Sequence, residues 1–249
     1  MQLRTSIVTY NLWRTVNWQQ RQNALAGFLA VTQPDIMCVQ ELQAETRTFL
    51  DSVLPNHARV AGSFPGWMVE GNIYWDRRMF TMIECGAEPI GHVEEMRRLF
   101  WVRLWPQGKG YPLLVATAHL TFKATENELL TGTSPRVAQA HAMVKALDKL
   151  ASLGDPVLLA GDFNDPSHPT YILNDGGYVD CFTALGLTSP PTAPTYKTSN
   201  LPPGRPSTSQ TLDWIVSRDA RAVAALVPEY VLDGVSPSDH LPVLAVYET

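Results

Sequence analysis

Asp162 and Asn164 stand two residues apart where an apolar run, Pro156 to Ala160, breaks off at Gly161. The run reads as a buried strand. If the strand continues, the two polar side chains share one face. A carboxylate beside an amide suits phosphate chemistry: the carboxylate holds a metal or orients a water, and the amide donates to a phosphoryl oxygen. Gly161, Asn164, Asp165 and Pro166 are also turn formers, so taken alone the segment is equally well explained by a strand and an Asx turn.

The same pattern recurs along the chain. Asn11 ends the first apolar run, and His119 closes Leu114 to Ala118. Glu41 follows Ile36-Met37-Cys38-Val39-Gln40, either as a cap for the next helix or as a working group. Asp213 lies inside Thr211 to Val216, where an unpaired carboxylate is costly, so it needs a partner. Asp239 and His240 precede Leu241-Pro242-Val243. Turns and caps account poorly for so many polar groups at the ends of buried strands. In layered α/β sheets those ends are where ligands sit.

The elements that must position these residues are short. Strands are expected at Ser6 to Leu12, Asp35 to Gln40, Gly71 to Trp75, Phe80 to Glu84, Leu99 to Trp105, Leu113 to His119, from Val157, Leu212 to Ser217 and Leu241 to Tyr247. Helices are expected at Gln20 to Thr32, with Ala24, Leu25, Phe28 and Leu29 at helical spacing, at Ala44 to Leu54, and near Thr170 to Asn174. The clearest helix is Arg136 to Leu153, with Val137, Ala140, Val144, Leu147 and Leu150 on one face. Many strands with a few helices between them imply an α/β or α+β layered fold, read here as one unit over residues 1–249. Thr121 to Pro135 and the proline-rich Ser189 to Thr211 read as irregular loops beside His119 and Asp213, where function often resides. Lys197 and Arg205 in the second loop are read either as closing over an anion or as solvated loop charges.

Composition narrows the function classes. The chain has 249 residues, 45% hydrophobic and 17% charged, which suits an ordinary globular protein. Its net charge of −5, without a run of basic residues longer than two, argues against a long duplex footprint while leaving a nucleic-acid substrate open. No apolar stretch is long enough for a membrane span, and Met1 to Trp13 lacks the layout of a signal peptide, so a cytoplasmic location is expected. Cys38, Cys85 and Cys181 have no metal-ligand spacing and read as reduced thiols. Nothing calls for an obligatory protein partner.

The order of the polar segments resembles the endonuclease/exonuclease/phosphatase superfamily. The stretches that carry the resemblance are Thr9-Tyr10-Asn11-Leu12, Val39-Gln40-Glu41, Ala118-His119-Leu120, Gly161-Asp162-Phe163-Asn164, Leu212-Asp213-Trp214-Ile215 and Ser238-Asp239-His240-Leu241-Pro242-Val243. Each is weak alone, but six in the family's order span nearly the whole chain. Two departures stand out: Ala118 precedes the histidine where the family often has Thr, and Thr211-Leu212 precedes Asp213 where a basic residue is frequent.

The resemblance implies a four-layer α/β/β/α sandwich, with two packed mixed β-sheets flanked by helices and one site between the sheet tops. It implies hydrolysis of a phosphodiester or phosphomonoester by water with Mg²⁺ or Mn²⁺. Glu41 would be the first metal ligand and Asp239 the second or a water-mediated one. Asn11 and Asn164 would orient the phosphate, and His119 would donate to a phosphoryl oxygen. His240 and Asp213 resemble a base and its orienter. Asp162 would position the attacking water or act as the base itself. Asp76 and Glu70 are candidate acidic partners for His119. Trp13 is expected at the mouth if its strand persists, and Arg98 resembles a phosphate-contacting arginine. A small-molecule or lipid-headgroup substrate is slightly favoured over DNA or RNA. A non-catalytic binding module on the same fold is the remote alternative.

Overall fold

The structure, a computed structural model, describes residues 3–108, 110–123, 125–152, 154–195 and 209–249. Its strands are β1 (Arg4–Asn11), β2 (Ile36–Gln40), β3 (His57–Arg59), β4 (Gly71–Asp76), β5 (Phe80–Glu88), β6 (Leu99–Pro106), β7 (Leu113–His119), β8 (Val157–Asp162), β9 (Val179–Asp180), β10 (Asp213–Arg218), β11 (Arg221–Leu226) and β12 (Val243–Glu248). Its helices are α1 (Trp18–Thr32), α2 (Ala44–Val53), α3 (Gly66–Val69), α4 (Glu126–Thr131), α5 (Pro135–Leu150), α6 (His168–Asp175) and α7 (Cys181–Ala184).

The strands form two sheets, ordered β11-β12-β1-β2-β4-β3 and β5-β6-β7-β8-β10-β9. Each sheet has one parallel pair at its centre, β1/β2 in the first and β7/β8 in the second. A parallel pair needs a crossover, and α1 and α5 supply the two crossovers. β2, β7 and β8 are buried along their whole length, which is why they read as unbroken apolar runs.

Three apolar layers hold the stack together. Ile7, Ile36, Cys38, Ile73, Val102, Val115, Leu158, Ala160 and Ile215 meet between the sheets. Leu25, Phe28, Leu29 and Leu50 of α1 and α2 pack on Val8, Tyr10, Met37 and Val39 of the first sheet. Ala140, Met143, Leu147 and Leu173 of α5 and α6 pack on Leu114, Ala116 and Leu159 of the second. The result is the four-layer α/β/β/α sandwich.

This topology makes a site. The parallel strands β1, β2, β7 and β8 end at one edge of the sandwich, and their antiparallel neighbours β4, β6, β10 and β12 begin there. Residues leaving four strands and entering four others therefore converge above the inter-sheet core.

Some elements differ from expectation for identifiable reasons. Thr121 to Pro135 contains α4, a helix that buries no residue and so has no apolar stripe to reveal it; the Thr125 hydroxyl caps it. β3, β9, α3 and α7 are two to four residues long, too short for a period to emerge. β11 is alanine-rich, and its strand state comes from pairing with β12 rather than from β propensity. β12 starts at Val243 rather than Leu241. β5 runs on to Glu88 through an irregularity between Met82 and Glu84. Cys38, Cys85 and Cys181 are free thiols, with Cys38 and Cys181 buried. Lys197 and Arg205 lie outside the described residues. Among the described residues, no helix is long and apolar enough to cross a membrane.

Candidate active site

The second sheet supplies three polar residues by strand register alone. His119 ends β7 opposite Asp162 at the end of β8, and Asp162 lies opposite Asp213, the first residue of β10. Three adjacent strands thus set an imidazole and two carboxylates in a row. Asp162 and Asp213 are almost fully buried, where a carboxylate is costly unless engaged. Asp162 is engaged twice: its Oδ2 accepts from Asn11 Nδ2 at 2.9 Å and its Oδ1 from the Asn164 amide at 2.8 Å. The Asn11 contact ties the two sheets together at the site.

Asp213 is matched by His240, whose Nδ1 donates to Asp213 Oδ2 at 2.8 Å. Burial opposes charge on this imidazole, but the carboxylates of Asp213, Asp162 and Asp239 outweigh it and raise its pKa well above the ordinary value. The bond fixes the ring and aims Nε2 at Asp162 Oδ2, 3.9 Å away. That gap is too long for a hydrogen bond. Asp213 Oδ1 is buried without a hydrogen-bond partner.

His119 has its own carboxylate. Its Nδ1 donates to Glu70 Oε1 at 2.9 Å, and its Nε2 lies 3.5 Å from Asp162 Oδ2. Asp76, the other candidate partner, is taken up by Arg78. Glu70 sits just before β4, in the antiparallel neighbour of β2. Burial pushes its carboxyl up, yet the His119 bond and the charges of His119 and Arg97 bring it below the ordinary range. Arg97 Nε is 3.0 Å from Glu70 and 3.1 Å from Glu94, close enough for charge pairing but without hydrogen-bond geometry, and Arg97 Nη1 is 3.4 Å from His119 Nε2. Arg97 is therefore the arginine that meets Glu70 and His119. Arg98, named from the sequence, instead lies over the Phe64 ring at 4.4 Å and reaches the Ala87 carbonyl. The two residues precede β6 side by side, and only one of them faces inward.

Glu41 and Asp239 occupy the first-sheet side. Glu41 follows β2 in the left-handed region at φ 56°, and it caps no helix, because Gln43 caps α2. Burial raises the Asp239 carboxyl to about 6; His240 opposes the rise, and Glu41 and Asp162 add to it. A carboxyl crowded by two others fits a divalent cation, which would relieve the repulsion. Asp162, Asp213 and His240 also bring ligand atoms within 4.8 Å of one another. That trio suits a cation less well: Asp213 and His240 are bonded to each other, and a charged imidazole has no lone pair to give.

Asn164 lies two residues beyond the end of β8 at φ 50°, so it does not share a strand face with Asp162. It sits in a turn closed by its own amide, and its Nδ2 donates to the Leu120 carbonyl at 3.0 Å. Trp13 departs from expectation in the same way. β1 stops at Asn11, and Trp13 takes φ 55° while its amide donates to Asn11 Oδ1 at 2.9 Å. It remains half-buried.

Two residues unmarked in the sequence reading hold the site. Arg21 in α1 is 1% exposed, and its guanidinium donates to the carbonyls of Trp13, Arg14, Val16 and Pro237. Burial lowers its pKa to about 10 against the attraction of Asp239 and Glu41. Its signal was available: Arg21 precedes Leu25 and Phe28 by four and seven residues, a charge on the apolar stripe of α1. Gln40 donates to Thr9 and Thr117 at 3.0 and 2.9 Å, bridging the sheets beneath the site. Both loops attach at its rim. Thr192 Oγ1 accepts from the Leu212 and Asp213 amides, Thr195 N donates to the Asp239 carbonyl at 2.8 Å, and Lys123 donates to Gln210 at 2.6 Å.

Residues 8–240 match the model of the family described as Endonuclease/Exonuclease/phosphatase. Over 184 residues the chain is 27% identical to Protein angel of Drosophila melanogaster; the match covers 66% of this chain and 49% of that protein, so the chain spans about half its length. Among solved structures, D. rerio TDP2 complexed with single strand DNA product is similar at a TM-score of 0.82, with 22% identity and 99% of each chain covered. The Bacteroides thetaiotaomicron VPI-5482 mannosyl-6-phosphatase is similar at a TM-score of 0.76, with 17% identity and 98% and 99% covered. At these identities the structural likeness is one of fold.

Proposed function

The chain belongs to the Endonuclease/Exonuclease/phosphatase family, whose members hydrolyse phosphoesters, and within it we propose that this protein is a Mg²⁺- or Mn²⁺-dependent phosphodiesterase. The observation that carries the reading is Asp162 Oδ2. It sits 2.9 Å from Asn11 Nδ2, 3.5 Å from His119 Nε2 and 3.9 Å from His240 Nε2, with the crowded carboxylates of Glu41 and Asp239 beside it. One anchored carboxylate, two imidazoles with carboxylate partners and a cation-seeking acid pair suit attack of water on a phosphorus ester.

Glu41 and Asp239 would hold the cation, which when bound would neutralise charge building on the phosphoryl and leaving oxygens. Asp162, its orientation fixed by Asn11 and the Asn164 amide, aligns the attacking water and accepts its proton. His240, kept charged by Asp213, donates through Nε2 to a phosphoryl oxygen and steadies the transition state. Glu70 holds His119 so that Nε2 faces the same phosphate. Asn11 and Asn164 position the ester by amide contacts.

A small diester is the favoured substrate, because the chain carries net charge −5 and no basic stripe. A nuclease or DNA-end-processing role is the second reading. It draws on half-buried Trp13 at the rim, able to stack on a base, and on the fold shared with D. rerio TDP2 complexed with single strand DNA product. The test is turnover of bis(p-nitrophenyl) phosphate, p-nitrophenyl phosphate, single- and double-stranded DNA, RNA and sphingomyelin with Mg²⁺ or Mn²⁺ and with EDTA. Cation-dependent hydrolysis of the diester is expected. Inactivity toward every ester under all conditions overturns the reading.

A further inference from the structure

We propose that Arg14 is an anion-recognition residue, making the substrate a diester that carries a second phosphate beside the scissile one. The inference rests on the phosphodiesterase reading and adds a subsite to it. Arg14 lies on the turn that leaves β1, and its side chain is half exposed, 3.9 Å from Glu41 Oε2. Its charge also reaches Glu70. It thus sits on the solvent side of the acids that flank the reacting phosphate.

Among the described residues, the other basic groups around the site are committed. Arg97 pairs with Glu70 and Glu94, and Arg21 serves four carbonyls. Arg136 holds Glu128, Asp165 and the Thr121 carbonyl, and Lys123 holds Gln210. Among the described residues, the Arg14 side chain has one polar contact, a charge pair with Glu41 too long for a hydrogen bond. Its guanidinium keeps its donors free for an incoming oxyanion.

The backbone beneath it is built for that placement. Trp13 and Arg14 adopt consecutive left-handed conformations, φ 55° and 47°, which non-glycine residues rarely do. Such strain persists only where the surroundings impose it. Here the Arg21 guanidinium donates to the carbonyls of Trp13 and Arg14 at 3.0 and 2.9 Å, and its centre lies 5.3 Å from the Trp13 ring. A buried arginine thus holds a strained turn whose exposed product is a second arginine.

The test compares wild type with Arg14→Gln and Arg14→Lys on four substrates. These are bis(p-nitrophenyl) phosphate, a thymidine dinucleotide with a 5′-phosphate, the same dinucleotide without it, and 2-phosphoethyl p-nitrophenyl phosphate, a glycol ester with a phosphate on its second hydroxyl. Arg14→Gln is expected to raise KM about tenfold or more on at least one doubly anionic substrate, the scale of a lost charge-assisted hydrogen bond. It should spare bis(p-nitrophenyl) phosphate and the unphosphorylated dinucleotide, and Arg14→Lys should recover part of the loss. The slope of log KM against log salt should fall by about one. An effect on the dinucleotide alone places the second phosphate on a nucleic-acid end; an effect on the glycol ester as well makes any neighbouring phosphate sufficient. Calorimetric binding of the two dinucleotides, with Arg14→Gln introduced into an Asp213→Asn background, reads the subsite without turnover. Equal losses on every substrate, or no change in KM or binding on any, overturn the assignment of Arg14. A wild type inactive on all esters overturns the phosphodiesterase reading, while the binding comparison still decides Arg14.

Discussion

The two sheets build their halves of the site differently. The second sheet places His119, Asp162 and Asp213 on neighbouring strands within the regular hydrogen-bond ladder. The first sheet keeps only Asn11 in a strand; Glu41, Glu70, Asp239 and His240 sit on the residues just outside strands, and Glu41 takes a left-handed conformation. One half is fixed by backbone register. The other is fixed by side chains: Arg21 on Trp13, Arg14 and Pro237, Ser238 Oγ on the Asn11 carbonyl at 2.7 Å, and Thr195 Oγ1 on the Ser238 carbonyl at 3.2 Å. Proton handling in the proposed mechanism centres on the rigid half, while cation and substrate recognition fall to the turns, where a side chain can be re-aimed without disturbing a ladder.

The sharpest way to break this contrast is Asp213→Asn, which attacks the rigid half. Turnover should fall about 10²–10⁴-fold. Without the carboxylate the His240 imidazolium loses its main support, so the alkaline limb of the pH–rate profile should move to lower pH. Thermal stability should change less than for a core truncation. An unmoved alkaline limb would separate His240 from Asp213.

Glu41→Gln attacks the turn half. Partners that only support a metal ligand cost roughly 10–100-fold in metal affinity when removed, so loss of the ligand itself should exceed that. Titration calorimetry with Mn²⁺ should show the weakened binding, and saturating cation should restore part of the turnover. Full activity at limiting Mg²⁺ would sink the ligand assignment.

Glu70→Gln probes the seam, since Glu70 belongs to the first sheet and orients a histidine of the second. The wild-type carboxyl has a depressed folded pKa, so its contribution is fully present above the unfolded value of about 4.3 and is lost as pH falls through the folded value. The variant should be about 1–3 kcal/mol less stable than wild type near pH 7, and the two should converge in acid. Urea titrations at pH 7 and pH 3 read this; parallel curves at both would mean that Glu70 is not the partner that matters.

Trp13→Ala should have the smallest effect. It should raise KM severalfold for nucleotide substrates through lost stacking and leave bis(p-nitrophenyl) phosphate nearly unchanged. Equal effects on both would make Trp13 a support for Arg21 alone, which it contacts at 5.3 Å.

The same division decides how far reading the residues succeeded. Where polar groups interrupt buried ladders, as at His119, Asp162 and Asp213, an apolar run stopped by a charge announces them. Where a turn sets the direction, neighbours in sequence are indistinguishable. Arg97 and Arg98 differ only in which way they face, and the assumed strand continuation beyond Asn11 and Asp162 fails at left-handed residues. Glu70 was ambiguous because the contact that selects it spans 49 positions. Arg21 and Gln40 were open to reading as charged or amide residues on buried faces, but what they bond to lies in other loops and the other sheet.

The order in which the strands are made carries a further meaning. Residues 80–218 form the second sheet as one continuous stretch, whereas the first sheet draws on residues 4–76 and 221–248. β1 lies between β2 and β12, so during synthesis its second neighbour is missing until the last strand has emerged. Ser238, which leads into Asp239 and His240, bonds the Asn11 carbonyl only when β12 docks. The second-sheet half of the site, with Asp162 and Asp213, is thus encoded in one continuous stretch, and the first-sheet half is brought to it from the segments on either side.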